Sequence, residues 1–209
     1  MKNAPIPAAE PRRYRQGARA EAAAATGRRI VETFIALMRE RWLEDITLDE
    51  VARAAGVTVQ TVIRRFGGKS GLIDAASGHL KREISARRTA APGALDEAIS
   101  VLVVDYELTG DVVIRLLAQE ERHPELALLL AVGRRCHRDW TASLFSPWLE
   151  KLPREGRERR LAGLIATMDV YTWKLLRRDL GLPPAETGRV MRQMAAGLIG
   201  EAPGAPAGA

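Results

Sequence analysis

The run Gly67-Gly68-Lys69-Ser70 has the residue types of a loop that binds phosphate. A nucleotide-binding loop needs Gly-x-x-x-x-Gly-Lys-Ser directly after a strand. Counting back from Gly68, the first glycine would fall at position 63, which is Ile63, and the preceding segment predicts helix. We therefore interpret the run as a turn and a helix start, where Lys69 and free backbone amides would contact a phosphate of DNA.

Two short helices around Gly56 are predicted just before this run. Thr47 and Glu50 have the spacing of a capping box, which starts a helix, and Gly56 suits the left-handed residue that ends it. Thr58 is a good N-cap for a second helix, which would bury Val62. Two short helices joined by such a turn indicate a helix-turn-helix motif.

The N-terminal residues of the second helix are the ones that would enter the major groove of DNA. Gln60 could contact an adenine edge and Val59 a thymine methyl group, although Val59 could instead belong to the core. Arg64 could reach a base or a phosphate. For Gln60 and Arg64 the alternative is a plain solvated surface.

Charge is unevenly distributed along the chain. The 209 residues carry a net charge of +6, but residues 1–90 have 17 Lys and Arg against 10 Asp and Glu, and residues 91–209 have 15 against 16. A polyanion partner for the first part is the simplest functional interpretation of this difference, and the alternative is a basic, soluble surface with no partner. Before the first helix lies a basic arm that could enter a minor groove or add only non-specific affinity, formed by Arg12, Arg13, Arg15 and Arg19.

No other site for catalysis or metal binding is predicted. Cys136-His137, His123 and His79 lack the paired spacing of a metal site, and no catalytic set or cofactor motif is found. We therefore expect a protein that is not an enzyme and has no cofactor. No signal peptide and no apolar run long enough to cross a membrane are visible, and with a single cysteine this leads us to expect a cytoplasmic protein.

The rest of the chain predicts an all-α protein. Residues 1–27 are expected to be a disordered basic arm, 28–90 a helix-turn-helix domain, 91–200 a helical domain and 201–209 a disordered tail. Pro92-Gly93 marks the boundary. The expected helices cover 28–41, two short helices in 47–66, then 70–88, 94–108, 111–122, 124–150, 156–180 and 184–199. The helix over 124–150 is expected to kink or end near Ser146, because Pro147 follows it.

The segment ITLDEVARAAGVTVQTVIRRFGGKSGLIDAA resembles the DNA-binding region of the TetR family of bacterial transcriptional regulators. The resemblance rests on the helix-turn-helix followed by Phe66, Lys69 and Leu72, and it covers about residues 28–80. It implies an N-terminal three-helix DNA-binding domain and a larger C-terminal helical domain for ligand binding and dimerisation. Ile63 stands where the family often has a tyrosine, and Arg65 where a histidine is common, which shifts the expected backbone contacts onto Arg64 and Arg65.

The resemblance also implies roles for individual residues. The residues that would contact DNA are Thr47, Thr58, Val59, Gln60, Thr61, Arg64, Arg65 and Lys69. A homodimer would form through the last two long helices, where mostly apolar residues recur at helical spacing: Leu161, Leu164, Ile165, Met168, Tyr171, Thr172, Leu175 and Leu176. A pocket for an unknown small-molecule effector would be lined by Tyr106, Arg115, Gln119, Trp140 and Trp173, although the aromatic residues could equally be ordinary core.

Together these features predict a sequence-specific regulator, a repressor that binds a palindromic operator as a homodimer and responds to a ligand. The alternative is a non-specific or architectural DNA-binding protein without an effector. Salt dependence separates the two, because only a specific binder keeps sequence-selective affinity when counterions compete.

Overall fold

The computed structural model describes residues 12–200, and this part of the chain is all-helical, as predicted. None of the described helices combines the length and the apolar character that crossing a bilayer requires. A 3-10 turn covers Pro124–Leu126 and a π-helical turn Leu175–Asp179. The α-helices are α1 (Arg12–Glu40), α2 (Leu48–Ala54), α3 (Val59–Phe66), α4 (Lys69–Arg87), α5 (Leu95–Leu117), α6 (Ala127–Leu144), α7 (Ser146–Leu149), α8 (Arg154–Thr167), α9 (Val170–Lys174) and α10 (Pro184–Ile199).

The first helix is longer than expected. It begins at Arg12, so the prediction of disorder for residues 12–27 is wrong. The segment from Arg19 to Ala25 is rich in alanine, the residue with the highest helix propensity, and it extends the amphipathic helix toward the N-terminus. The prediction for residues 1–11 lies outside the described residues, as does the tail 201–209.

Two hydrophobic cores hold the described chain together. The first core is formed by α1, α2, α3 and α4, and it also contains Leu116, Leu126, Leu129 and Leu130. The second joins α5, the end of α6, α8, α9 and α10 around the fully buried Trp173. The turn between α4 and α5 does fall at Pro92-Gly93. Because side chains from beyond this turn complete the first core, the two predicted domains share apolar packing.

Most predicted breaks between helices are confirmed, but Gly110 is not a break. Turns occur at His123, Leu152-Pro153 and Gly181–Pro183, and α6 ends just before Ser146. Gly110 lies inside α5, buried against the indole of Trp173; a Cβ there would be 2.4 Å from Cζ3 of that ring. The glycine lets the α9 segment pack closely on α5, and the cost of one glycine inside a long helix is too small to end it.

The predicted single helix over 156–180 is also wrong. Helix α8 ends at Thr167, and Asp169 is the N-cap of α9, with its carboxylate accepting a hydrogen bond from the Tyr171 backbone N–H at 2.9 Å. A side-chain oxygen that binds the free amides of a helix start favours a new helix over continuation of the old one.

Candidate nucleic-acid interface and interior cavity

Local capping defines the two helices of the predicted motif. The capping box of α2 is confirmed, since Glu50 N–H donates to Thr47 Oγ1 at 3.2 Å and Thr47 N–H donates to Glu50 Oε2 at 3.1 Å. Thr58 caps α3 by accepting from the Thr61 N–H at 3.2 Å. Gly56, in the turn between them, has a φ of 63°, in the left-handed region. Each of these features follows from neighbouring residues, which is why the sequence predicted them.

Helix α3 has one buried face and one exposed face. Val62 is fully buried, and Val59 is half-buried and packs on the first core. Gln60 and Arg64 are exposed. Within residues 12–200, neither side chain has a hydrogen bond or an ion pair. The structure therefore presents Gln60 and Arg64 as free side chains for a partner, while Val59 is largely occupied by the core.

Arg65 takes a different position from its neighbour Arg64. Its guanidinium lies over α1 at Gly27, where a Cβ would be 2.5 Å from Arg65 Nε. Thr61 is half-buried, and its hydroxyl lies 2.9 Å from that of Thr58. Thr47 and Thr58 hold helix starts, so their hydroxyls already have partners. DNA contacts by these four residues stay predictions.

The three glycines of the Gly-Gly-Lys-Ser-Gly run shape the connection between α3 and α4. Gly67 and Gly68 have φ values of 77° and 143°, which side chains disfavour. A Cβ on Gly71 would lie 1.7 Å from the carbonyl oxygen of Phe66, so only glycine fits there. The run is a turn and a helix start, as predicted, and its glycines serve the backbone geometry.

Lys69 is engaged inside the protein. Its ammonium group donates to the carbonyl oxygen of Leu43, in the loop between α1 and α2. Partial burial lowers the pKa of Lys69, and Glu125, Asp45 and Glu44 oppose this shift. A contact between Lys69 and a DNA phosphate would require this internal hydrogen bond to break.

Two arginines that the sequence did not indicate hold the helix-turn-helix motif against α1 and the end of α1. Arg29 on α1 donates through Nε to the carbonyl of Ala55, the C-cap of α2, at 2.8 Å. Arg41 forms an ion pair with Glu50, and this hydrogen bond, with those from Thr47, lowers the pKa of Glu50 to about 2. Since both arginines are distant in sequence from their partners, only their location beside the motif could have suggested a role.

A cavity of about 580 Å³ lies between α4, α5, α6 and the segment from Ile165 to Tyr171. Of the predicted effector-pocket residues, Tyr106 lines this cavity, and its hydroxyl donates to the carbonyl of Met168 at 3.0 Å. Trp140 instead lines an adjoining cavity of about 310 Å³. Trp173 lines neither one; it is core, with its indole N–H donating to Glu107 at 3.0 Å.

Arg115 and Gln119 also lie outside both cavities, which corrects their predicted role as polar contacts to an effector. Fully buried Gln119 accepts from the Leu43 N–H at 2.9 Å and donates to the carbonyl of Arg115 at 2.9 Å. Arg115 donates to the carbonyl of Arg39, at the end of α1, at 2.8 Å. The two side chains thus join the C-terminal end of α5 to the end of α1 and to the α1–α2 loop. We call Arg115, Gln119 and the Leu43 backbone the interdomain clamp.

A buried carboxylate beside the cavity was not predicted. Asp105 is 1% exposed and accepts from Arg87 at 2.7 Å and from Arg88 at 3.0 Å. The guanidinium of Arg88 also lies 5.3 Å from the ring centroids of both Tyr106 and Trp140, within cation–π range. The sequence signal was an aspartate within the apolar stripe of α5, since a buried carboxylate needs a cationic partner.

His137 is a buried part of the same network. Its Nδ1 lies 3.2 Å from Arg88 and its Nε2 lies 3.2 Å from the carbonyl of Ile165, so the ring is neutral with Nε2 as donor. Burial and the nearby Arg88 charge lower the pKa of His137. Within the described residues, no three His, Cys, Asp or Glu side chains form a group that could hold a metal ion.

The lowered pKa of His137 predicts loss of stability in mild acid. Histidine in the unfolded state titrates at about pH 6.5. Below that pH the unfolded state binds a proton, whereas the folded state stays unprotonated until its lower pKa is reached. We expect the free energy of unfolding to be highest above this pH and to fall as the pH drops below it. Urea unfolding at a series of pH values measures this. His137→Gln should flatten the dependence, whereas the control His79→Gln should retain it.

Comparison with known proteins supports the geometric picture of the N-terminal helices. Residues 30–76 match the model of the family described as bacterial regulatory proteins, tetR family. A crystal structure of a transcriptional regulator from Rhodococcus sp. Rha1 matches with a TM-score of 0.64 and 22% identity, over 86% of this chain and 98% of that one. At this identity the match shows a shared fold, and it extends through the C-terminal helices. No curated protein sequence matches the chain.

Proposed function

We propose that the chain is a transcriptional regulator of the TetR family, a ligand-responsive repressor that binds a palindromic operator as a homodimer. In this proposal residues 28–90 form the DNA-binding unit and residues 91–200 the effector and dimerisation unit. The observation that carries the proposal is α3 itself: a short helix fixed by a cap and a buried Val62, with Gln60 and Arg64 unpaired on its outer face.

Base recognition is assigned first to Gln60 and Arg64. A glutamine amide can form two hydrogen bonds with an adenine edge, and an arginine can form two with guanine. Thr47, Thr58 and Thr61 are placed at or near helix starts, where hydroxyls and backbone amides suit phosphate contacts. Arg65 and Lys69 are secondary candidates, because each must leave its present position to reach DNA.

Dimerisation explains how one short helix gains specificity, since two half-sites read more bases than one. Leu164, Met168 and Leu176 of the predicted dimer stripe are buried in the chain's own second core. Tyr171 and Leu175 are exposed, as is Met194 on α10. Large exposed apolar side chains on neighbouring helices are typical of association surfaces, and these three support an interface at this end of the molecule.

Ligand response is assigned to the 580 Å³ cavity and the interdomain clamp. Leu116 and Leu117 line the cavity. On the same segment, Arg115 binds the end of α1 and Gln119 binds the α1–α2 loop. A ligand that displaces the end of α5 would change the position of the DNA-binding helices and so the operator affinity. Such a ligand would bind the conformation with a displaced α5 more tightly than the other conformation, and allosteric coupling requires this difference in affinity.

In vitro selection of random duplex DNA by the purified protein tests the function. An enriched palindrome with two half-sites on one face of the duplex is the expected result, and it would support both operator recognition and the dimer. No enrichment, together with binding that salt abolishes, would instead identify a non-specific binder.

The double variant Gln60→Ala with Arg64→Ala tests the base contacts. We expect operator affinity to fall by about a hundredfold or more, because each good base contact contributes about 1–3 kcal/mol of discrimination. Fluorescence anisotropy with the selected operator measures the change. Arg122→Ala removes an exposed arginine from the turn after α5, outside α3 and outside the helices of the proposed dimer interface, and should leave affinity unchanged. Unchanged affinity in the first variant would reject the assignment.

A further inference from the structure

The larger cavity has a second compartment beside it. The cavities of about 580 Å³ and 310 Å³ share four lining residues, so they adjoin. The shared residues are Lys81, Val132, Arg135 and Cys136. The two spaces therefore lie side by side along α4 and α6.

The larger cavity suits an apolar group. Aliphatic side chains from α4 and α5 form much of its lining, including Leu80, Ile84, Val113 and Leu117, and Ile165 contributes from α8. Transfer of a methylene group from water into such surroundings is favourable by about 0.8 kcal/mol, which corresponds to roughly fourfold in affinity.

The acidic groups that line the larger cavity already have partners. Asp105 accepts hydrogen bonds from Arg87 and Arg88. Asp169 caps α9 through the Tyr171 N–H and lies 3.9 Å from His137 Nε2. Because their charges are compensated within the protein, neither carboxylate is arranged to receive a cationic ligand.

The basic groups at the junction of the two cavities, unlike these carboxylates, have no ion-pair partner among the described residues. Among the described residues, no carboxylate lies within ion-pair distance of Lys81, Arg135 or Arg138. Lys81 and Arg135 line both cavities, and Arg138 lines the larger one. Asp139, which lines the smaller cavity, is the acidic residue on this side, so positive charge is in excess.

A buried hydrogen-bond donor without an acceptor also favours a ligand that carries an oxygen. Trp140 lines the smaller cavity, and its indole nitrogen is buried with no hydrogen-bond partner within the described chain. An unsatisfied buried N–H is costly, and an oxygen of a bound ligand would remove that cost.

We propose that this pair of cavities binds an amphipathic organic anion, with its apolar tail among the aliphatic side chains and its carboxylate between Lys81, Arg135 and the Trp140 indole. This inference rests on the proposed ligand response and names the class of effector. The tail meets apolar surface, and the head meets unpaired cations and an unused donor.

Three ligands with the same tail and different heads test the class: octanoate, 1-octanol and octyltrimethylammonium, each below its aggregation concentration. Isothermal titration calorimetry with the full chain should show octanoate binding about tenfold or more tightly than octanol, since hydrogen bonds to charged groups contribute more than neutral ones. Decanoate should bind more tightly than octanoate, by about fourfold for each added methylene.

Variants locate the head group. Lys81→Ala with Arg135→Ala should remove the preference for octanoate over octanol, and Trp140→Phe, which keeps an aromatic ring but loses the N–H, should reduce it. Arg159→Ala, an exposed arginine outside both cavities, should leave the preference unchanged. Equal binding of octanol, tighter binding of the cationic ligand, or no binding of any of the three would overturn the proposal.

The same samples separate this inference from the proposed function. If octanoate binds with the expected preference and also changes the affinity for the selected operator, both stand. If octanoate binds with that preference and operator affinity does not change, the anion site stands and the ligand-responsive part of the proposed function is overturned.

Discussion

Replacing Gly71 with alanine is expected to destabilise the DNA-binding helices and abolish operator binding. The new Cβ would lie 1.7 Å from the carbonyl oxygen of Phe66, the last residue of α3. Because the obstructing atom is backbone, no side-chain rotation relieves the overlap, and α3 and α4 must separate. Overpacking of this kind costs about 1–3 kcal/mol or more, a large part of the stability of a small domain. Urea unfolding and operator anisotropy measure the two effects.

Gly78→Ala is the matched control in the same helix. Gly78 has an ordinary helical φ, and a Cβ there would have its nearest contact with the flexible end of Arg82, at 3.7 Å. We expect this variant to keep operator affinity and to gain up to about 1 kcal/mol, the difference in helix propensity. Equal behaviour of the two variants would show that the close approach at Gly71 is unimportant.

The glycines around Lys69 separate the features of the site that the sequence predicts from those that it does not. The spacing of Gly-Gly-Lys-Ser excluded a nucleotide loop, and the caps at Thr47 and Thr58 located both short helices, because such signals act between residues three or four apart. The close approach at Gly71 and the internal bond of Lys69 depend on the packing of one helix on another. No local pattern encodes that distance.

For the fold as well, local features were predictable and features that depend on distant contacts were not. All-α class, the helix-turn-helix and most turns followed from periodicity and from proline and glycine positions. Gly110 was misread because its role is contact with Trp173, 63 residues further along the chain. Asp169 differs, because it carries a local N-cap signal inside an apolar helical pattern, and the cap ends the pattern at α9.

The effector residues were the least predictable part. Polar side chains on an apolar helix were assigned to a ligand pocket, yet Arg115 and Gln119 hold backbone groups of the DNA-binding helices. A buried glutamine needs partners for its amide, but the sequence does not say whether the partner is a ligand or a distant loop.

Gln119→Leu is expected to disconnect helices α1 to α4 from the cavity of about 580 Å³. Leucine fills a similar space but leaves the buried Leu43 N–H without an acceptor, which costs about 1–3 kcal/mol. The α1–α2 loop should then lose its fixed position on α5. We expect lower stability in urea unfolding, faster amide hydrogen exchange at Leu43, and an operator affinity that no longer changes when a cavity ligand is added.

The comparison that decides between coupling and general damage is with Gln119→Glu and Glu121→Leu. Gln119→Glu keeps an oxygen that can accept from Leu43 N–H, so it should retain more of the ligand response than the leucine variant, although burial of its charge lowers stability. Glu121 is exposed in the same turn after α5, and its substitution should change neither the free energy of unfolding nor the ligand response. If Gln119→Leu responds to the ligand as the unaltered protein does, the clamp is structural only, and the signal from the cavity must reach the recognition helix through α4.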